Sequence, residues 1–81
     1  MAKVTLTEAL SRFTGGKTEF ELQVATVKQL FRALSDLYPD IKPHLDEGIA
    51  VAIDGQIFQD SLLEPIESDS EVHLLPQIGG G

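Results

Sequence analysis

Cysteine and tryptophan are absent from these 81 residues, and methionine and tyrosine occur once each. Without cysteine there is no disulfide framework, no thiolate metal site and no cysteine nucleophile. The two histidines, His44 and His73, stand far apart in sequence and give no ligand spacing, so no metal site is expected. No apolar run approaches ~18 residues, and the N-terminal residues lack a signal-peptide hydrophobic region. The expectation is a soluble, cytoplasmic protein with no membrane partner. Positive charge is missing from half of the chain. All six basic residues (Lys3, Arg12, Lys17, Lys28, Arg32 and Lys42) precede Pro43, and eight acids follow it, for a net charge of −7.

That imbalance argues against nucleic acid, whose binding needs cationic phosphate contacts. It favours docking to a basic protein surface, with charge steering the encounter. An equally simple reading is that acidity keeps a small protein in solution. The length allows one small domain, which buries about 60–65% of its unfolded surface and so needs an economical core.

The order of elements follows from periodicity. Lys3-Val4-Thr5-Leu6-Thr7 alternates as a half-buried strand with Val4 and Leu6 inward. Ala9 to Phe13 reads as a short turn or helical piece closed by Gly15-Gly16. Thr18 to Val24 alternates again, with Phe20, Leu22 and Val24 on one face. Thr26-Val27-Lys28-Gln29 has the form of a capping box, in which Thr26 caps the third helical N–H and Gln29 reaches back to the cap. Val27, Leu30, Phe31, Leu34 and Leu37 then form one apolar stripe, and Pro39 stops the helix.

Ile41 to Leu45 is a connector with at most one helical turn. Ile49 to Ile53 is a third strand with its larger residues inward and its alanines outward. Asp54-Gly55 is a two-residue hairpin turn, so Gln56-Ile57-Phe58 returns as a short strand. An acidic, turn-rich stretch leads to the last strand, Glu71 to Leu75, ended by Pro76. The result is an α+β fold, a mixed sheet of four to five strands with one main helix across it. Its first and last strands lie parallel in the centre. The domain covers 1–75, and residues 76–81 form a flexible tail.

Few side chains offer chemistry. Gly16-Lys17-Thr18 looks like the end of a phosphate-binding loop, but Ser11 stands where that motif needs glycine and a strand follows instead of a helix. A hairpin turn explains the glycines better. His73 has no serine or cysteine partner and reads as a surface or interface residue. Glu67, Asp69 and Glu71 read as a solvated loop. No constellation supports a self-contained enzyme.

The end of the chain is more informative. If Val72 and Leu74 face the core, then Leu75 and His73 face outward beside Ala50 and Ala52. With Phe58 they would form an exposed apolar patch for partner docking. The patch leads into Pro76-Gln77-Ile78-Gly79-Gly80-Gly81, which reaches ~20 Å when extended at ~3.3–3.6 Å per residue. A backbone without Cβ atoms passes where others cannot, so such a tail can carry a carboxylate down a narrow channel. Terminal glycines also occur as frayed ends or cloning remnants.

Thr26-Val27 opening the helix, Tyr38-Pro39 closing it, Val51-Ala52-Ile53-Asp54 and the Glu71 to Pro76 strand before Gly80-Gly81 carry a resemblance. In this order the chain resembles the ubiquitin-like β-grasp sulfur carriers, most of all the MoaD group, the small subunit of molybdopterin synthase, with ThiS as a relative. Two positions depart from the pattern. The family's Asp-Gly-Asp turn is Ser68-Asp69-Ser70, where Asp69 is expected to take the left-handed conformation. Gly79 stands where relatives often carry another small residue.

The resemblance implies a carrier, not an enzyme, that binds no cofactor. An adenylyltransferase of the ubiquitin-activating type (ThiF-like, MoeB type) would use ATP to adenylate Gly81. A sulfur donor would then leave Gly81 as a thiocarboxylate for delivery to a synthase, such as the molybdopterin synthase large subunit. Gly80 and Gly81 would carry function, Pro76 to Gly79 would thread, and Leu75, His73, Ala50, Ala52 and Phe58 would dock. Thiamine, cysteine and secondary-metabolite assembly use similar carriers, a protein modifier would share the activation, and an inert-tailed interaction domain is the third reading.

Overall fold

The computed structural model describes residues 1–59 and 61–76. Strand β1 (Ala2–Leu6) buries Ala2, Val4 and Leu6 on one side, as its alternation requires. A short helix α1 (Glu8–Ser11) and a turn through Gly15 and Gly16 lead into β2 (Glu19–Leu22), which runs antiparallel to β1. The turn is closed by Thr14, whose buried hydroxyl lies 2.6 Å from the Lys17 carbonyl and 3.0 Å from that of Ser11. Here the glycines of Gly16-Lys17-Thr18 serve a turn. The Lys17 ammonium sits 4.9 Å over the Phe20 ring, and the Thr18 carbonyl accepts from the Leu6 N–H.

Helix α2 (Val27–Leu37) starts at Thr26, whose hydroxyl accepts from the Gln29 N–H at 3.2 Å. The Gln29 side-chain Oε1 accepts from the N–H of Ala25, one residue ahead of the cap, at 2.8 Å. Ala25 lies beyond the end of β2, so its amide has no ladder partner to compete. Val27, Leu30 and Leu34 are buried against the sheet, and Phe31 is half-buried at its margin. Leu37, expected in the same stripe, is 56% exposed. In the last turn it is Tyr38 that packs on the core, edge-on to Phe20 with ring centres 5.8 Å apart.

The connector is more helical than its sequence suggests. A 3-10 turn over Pro39–Ile41 runs directly into α3 (Lys42–Glu47). Pro43 falls in the first turn of α3, where its missing N–H costs no helical bond. Ile41 and Leu45 drop into the core from this segment. Gly48, at φ 117°, turns the chain into β3 (Ile49–Ile53).

β3 pairs with β4 (Gln56–Phe58) through a turn in which Asp54 and Gly55 both have positive φ, 49° and 87°. Two successive left-handed residues match the twist of the flanking strands, hence the Asp-Gly pair. β5 (Glu71–Pro76) then inserts between β1, parallel, and β3, antiparallel, giving the order β2-β1-β5-β3-β4. The strand runs one residue past its expected end, because Pro76 still pairs with Ile49.

The turn before β5 survives the loss of the family's glycine, but not through a left-handed Asp69. Asp54 is the one non-glycine residue with positive φ among those described. Instead the buried Ser70 closes the turn. Its hydroxyl accepts from the Glu67 N–H at 3.0 Å, and its N–H donates to the Glu67 carbonyl at 3.1 Å.

Candidate functional site

One face of the sheet is filled by α2 and the connector. Over the other no helix lies among the described residues, and strand register places its side chains. Lys3 and Thr5 of β1, Glu19 and Glu21 of β2, Glu71, His73 and Leu75 of β5, and Ala50 and Ala52 of β3 share that face. Thr5, His73, Ala52 and Ile57 form one row across the strands, and Leu75 stands opposite Ala50. The β2–β1 side of this face is charged, with Lys3 and Glu19 paired at 3.4 Å. The β3–β4 side is apolar.

Of the residues expected to form the docking patch, Leu75, His73 and Ala52 share this face in accessible positions, and two need correction. Phe58 belongs to the opposite face. The two-residue turn aligns Ile53 with Gln56, hence Val51 with Phe58, and Phe58 packs half-buried against the core. Ile57 takes its place on the open face, opposite Ala52 and 53% exposed. The signal for Ile57 was present in the Asp54-Gly55 turn, which sets the register by itself. Ala50, expected outside, is fully buried. Its single methyl stands directly opposite the larger Leu75. Ala52 and Leu75 are half-buried and His73 is exposed, so the accessible patch is Ile57, Ala52, His73 and Leu75.

His73 has Thr5 and Ala52 as its cross-strand neighbours, neither of them a base or an acid. His44 stacks on Phe13 with ring centres 4.0 Å apart. Among the described residues no three potential ligands are grouped to hold a metal ion. No helix among them is long and apolar enough to cross a membrane. The open face ends at Leu75 and Ala50, and β5 itself ends one residue later at Pro76, paired with Ile49. Gln77, Ile78, Gly79, Gly80 and Gly81, to which the threading and reacting roles were assigned, lie outside the described residues.

A five-stranded mixed sheet in this order, grasping one main helix, defines a ubiquitin-like β-grasp protein. The sequence matches the ThiS family over residues 4–81, and the chain belongs to that family. No curated protein matches it in sequence. Among solved structures, it is similar to a chain of the Amycolatopsis orientalis BexX/CysO complex, at 22% identity and a TM-score of 0.81, covering 100% of both chains. It is also similar to the small archaeal modifier protein 1 of Methanosarcina acetivorans, at 25% identity and a TM-score of 0.81, covering 99% of this chain and 95% of that one. A chain of the Helicobacter pylori complex of subunits 1 and 2 of molybdopterin-converting factor matches at 22% identity and a TM-score of 0.67, covering 99% and 97%.

Proposed function

We propose that the protein is a sulfur carrier that bears its cargo on Gly81. The observation that carries this reading is the ThiS-family match itself, which spans the folded domain and continues through Gly80-Gly81. In this role the chain is a co-substrate without catalytic groups of its own. The Gly81 carboxylate attacks the α-phosphorus of ATP within an activating adenylyltransferase and expels pyrophosphate. A hydrosulfide equivalent from a sulfur donor then attacks the acyl carbon and expels AMP. The product is a thiocarboxylate, a far better nucleophile than the carboxylate it replaces.

In this reading the open face is the docking surface. An apolar area beside the stem of the tail lets a partner hold the domain while the end is threaded. Acidic surroundings favour basic partners. Likeness to a subunit of a molybdopterin-converting factor complex supports molybdopterin assembly as the destination. The resemblance of the strand-and-tail ending to the MoaD group supports the same choice over thiamine, cysteine or secondary-metabolite assembly.

Likeness to an archaeal modifier protein favours a second reading, in which the activated carboxyl ends on a lysine of another protein. Intact mass after incubation with an activating enzyme, ATP and a sulfur donor tests the first. A gain equal to oxygen replaced by sulfur at Gly81 is expected. An unchanged mass with several such enzymes would overturn it, and lysine conjugates in cell extract would establish the second.

A further inference from the structure

The two edges of the sheet are built differently. The β2 edge alternates Glu19 and Glu21 with Phe20 and Leu22, and charged residues guard an edge against pairing. β4, the other edge, is Gln56-Ile57-Phe58 and carries no charge. Ile53 and Gln56 close the two-residue turn and so exchange hydrogen bonds. The next pair, Ala52 with Ile57, is then the non-bonded kind, whose N–H and C=O groups point away from each other. Ile57 therefore presents its N–H and C=O to the free edge, and no backbone hydrogen bond among the described residues reaches β4 from that side.

Apolar surface gathers around this edge. A cavity of about 240 Å³ opens beside β4 on the helix side; most of its lining is apolar, with Val27, Phe31, Phe58 and Leu62, and Asp46 and Ser61 are its polar members. Leu62 is 47% exposed and Leu63 80% exposed on the loop beyond it. The backbone of that loop is tied down, not slack. The Leu62 and Glu64 carbonyls accept from the Lys28 and Val27 N–H groups at 2.8 and 3.1 Å, and Ile66 donates to Ala25 at 2.8 Å. Two leucines are thus presented to water on a bonded frame.

We propose that β4 is a docking site for an extended segment of a basic partner protein, added to the sheet as a sixth strand with one apolar side chain in the cavity. Strand addition supplies main-chain bonds, and the cavity supplies side-chain selection. Charge decides between occupants. The edge belongs to the half of the sequence with no Lys or Arg, Asp54 stands in the turn before β4, and Asp46 lines the cavity. A second copy would bring another net charge of −7 against it. A strand carrying lysine or arginine between apolar residues is complementary.

The test needs no activating enzyme and so is independent of the sulfur-carrier reading. The full chain, isotope-labelled, is titrated with an end-blocked peptide alternating lysine and valine, and with the same peptide N-methylated at its central valine. Shifts should concentrate at Gln56 to Phe58, Phe31 and Leu62, and methylation should weaken binding about tenfold through one lost hydrogen bond and its crowding. Ile57→Pro removes the outward N–H while sparing the bonds of Gln56 and Phe58, and Ile57→Lys places a charge at the edge. Each should abolish the β4 shifts. Shifts centred instead on His73 and Leu75, equal binding of the methylated peptide, or self-association of the chain through β4 would overturn the proposal.

Discussion

The two faces of one sheet have been put to opposite uses. Beneath α2, the inward residues of β1, β5 and β3 are Val4, Leu6, Val72, Leu74, Val51 and Ile53, all buried. On the other face the same strands carry Lys3, Thr5, Glu71, His73, Leu75, Ala50 and Ala52. The first set is branched and bulky and holds the domain together. The second is short or polar apart from Leu75, and no described helix lies over it. If the open face is the docking surface proposed above, stability and recognition are separated by the thickness of a strand, and substitutions should separate them too.

The sharpest separation is expected at the tail. Deleting Gly80-Gly81 should abolish thiocarboxylate formation completely and leave the thermal midpoint unchanged. Mass spectrometry and a melting curve on the same sample check both halves. Next, Leu34→Ala on the covered face should cost about 2–5 kcal/mol, as buried leucines do. At ~4–8 °C per kcal/mol for a domain of this size, the drop in melting temperature is unmistakable. A loss below ~1 kcal/mol would mean that the α2 stripe is not the main support of the sheet.

On the open face, Ala52→Glu should do the reverse. Loading by the activating enzyme should slow on the order of tenfold, as when a charge is placed in a docking centre, while denaturant stability moves by less than ~0.5 kcal/mol. Equal loading would remove that face from the docking model. Ser70→Ala should cost ~1–2 kcal/mol, because it leaves the Glu67 N–H without its acceptor. Smallest of all, Lys3→Ala should change stability by no more than ~1 kcal/mol, because the Lys3–Glu19 pair is solvated on both sides. Urea titrations resolve the first of these and should barely register the second.

Much of this division was readable before any coordinates. The Thr26 cap, the Val27–Leu30–Leu34 stripe and the alternation of β1 are local patterns, so sequence alone placed them. The errors came where a neighbour decides. Phe58 is apolar and sits near the alanines in sequence, yet register turns it inward and Ile57 outward. Leu37 keeps the helical spacing but is left exposed in the last turn, where Tyr38 packs instead. Ala50 is buried because of what stands beside it, which no periodicity records. Ser70 replaced a left-handed residue with a side-chain hydrogen bond, a substitution of one solution for another. At the site, His73 and Leu75 faced outward as expected, whereas the edge at β4 emerged only when strand order was known.

The position of β5 has a consequence for how the molecule comes to exist. The β1–β2 and β3–β4 pairs join through β5 alone, which lies between them in the sheet. Its parallel partner β1 comes from the far end of the sequence, so the chain must close its longest loop before the core is complete. For a carrier of the kind proposed above, folding and arming would therefore be one event. The strand that seals the domain is the one that directly precedes residues 77–81 in sequence. An incomplete chain, or one whose core has opened, would offer no firm stem to an activating enzyme, and folded copies would be selected for activation without any separate inspection step.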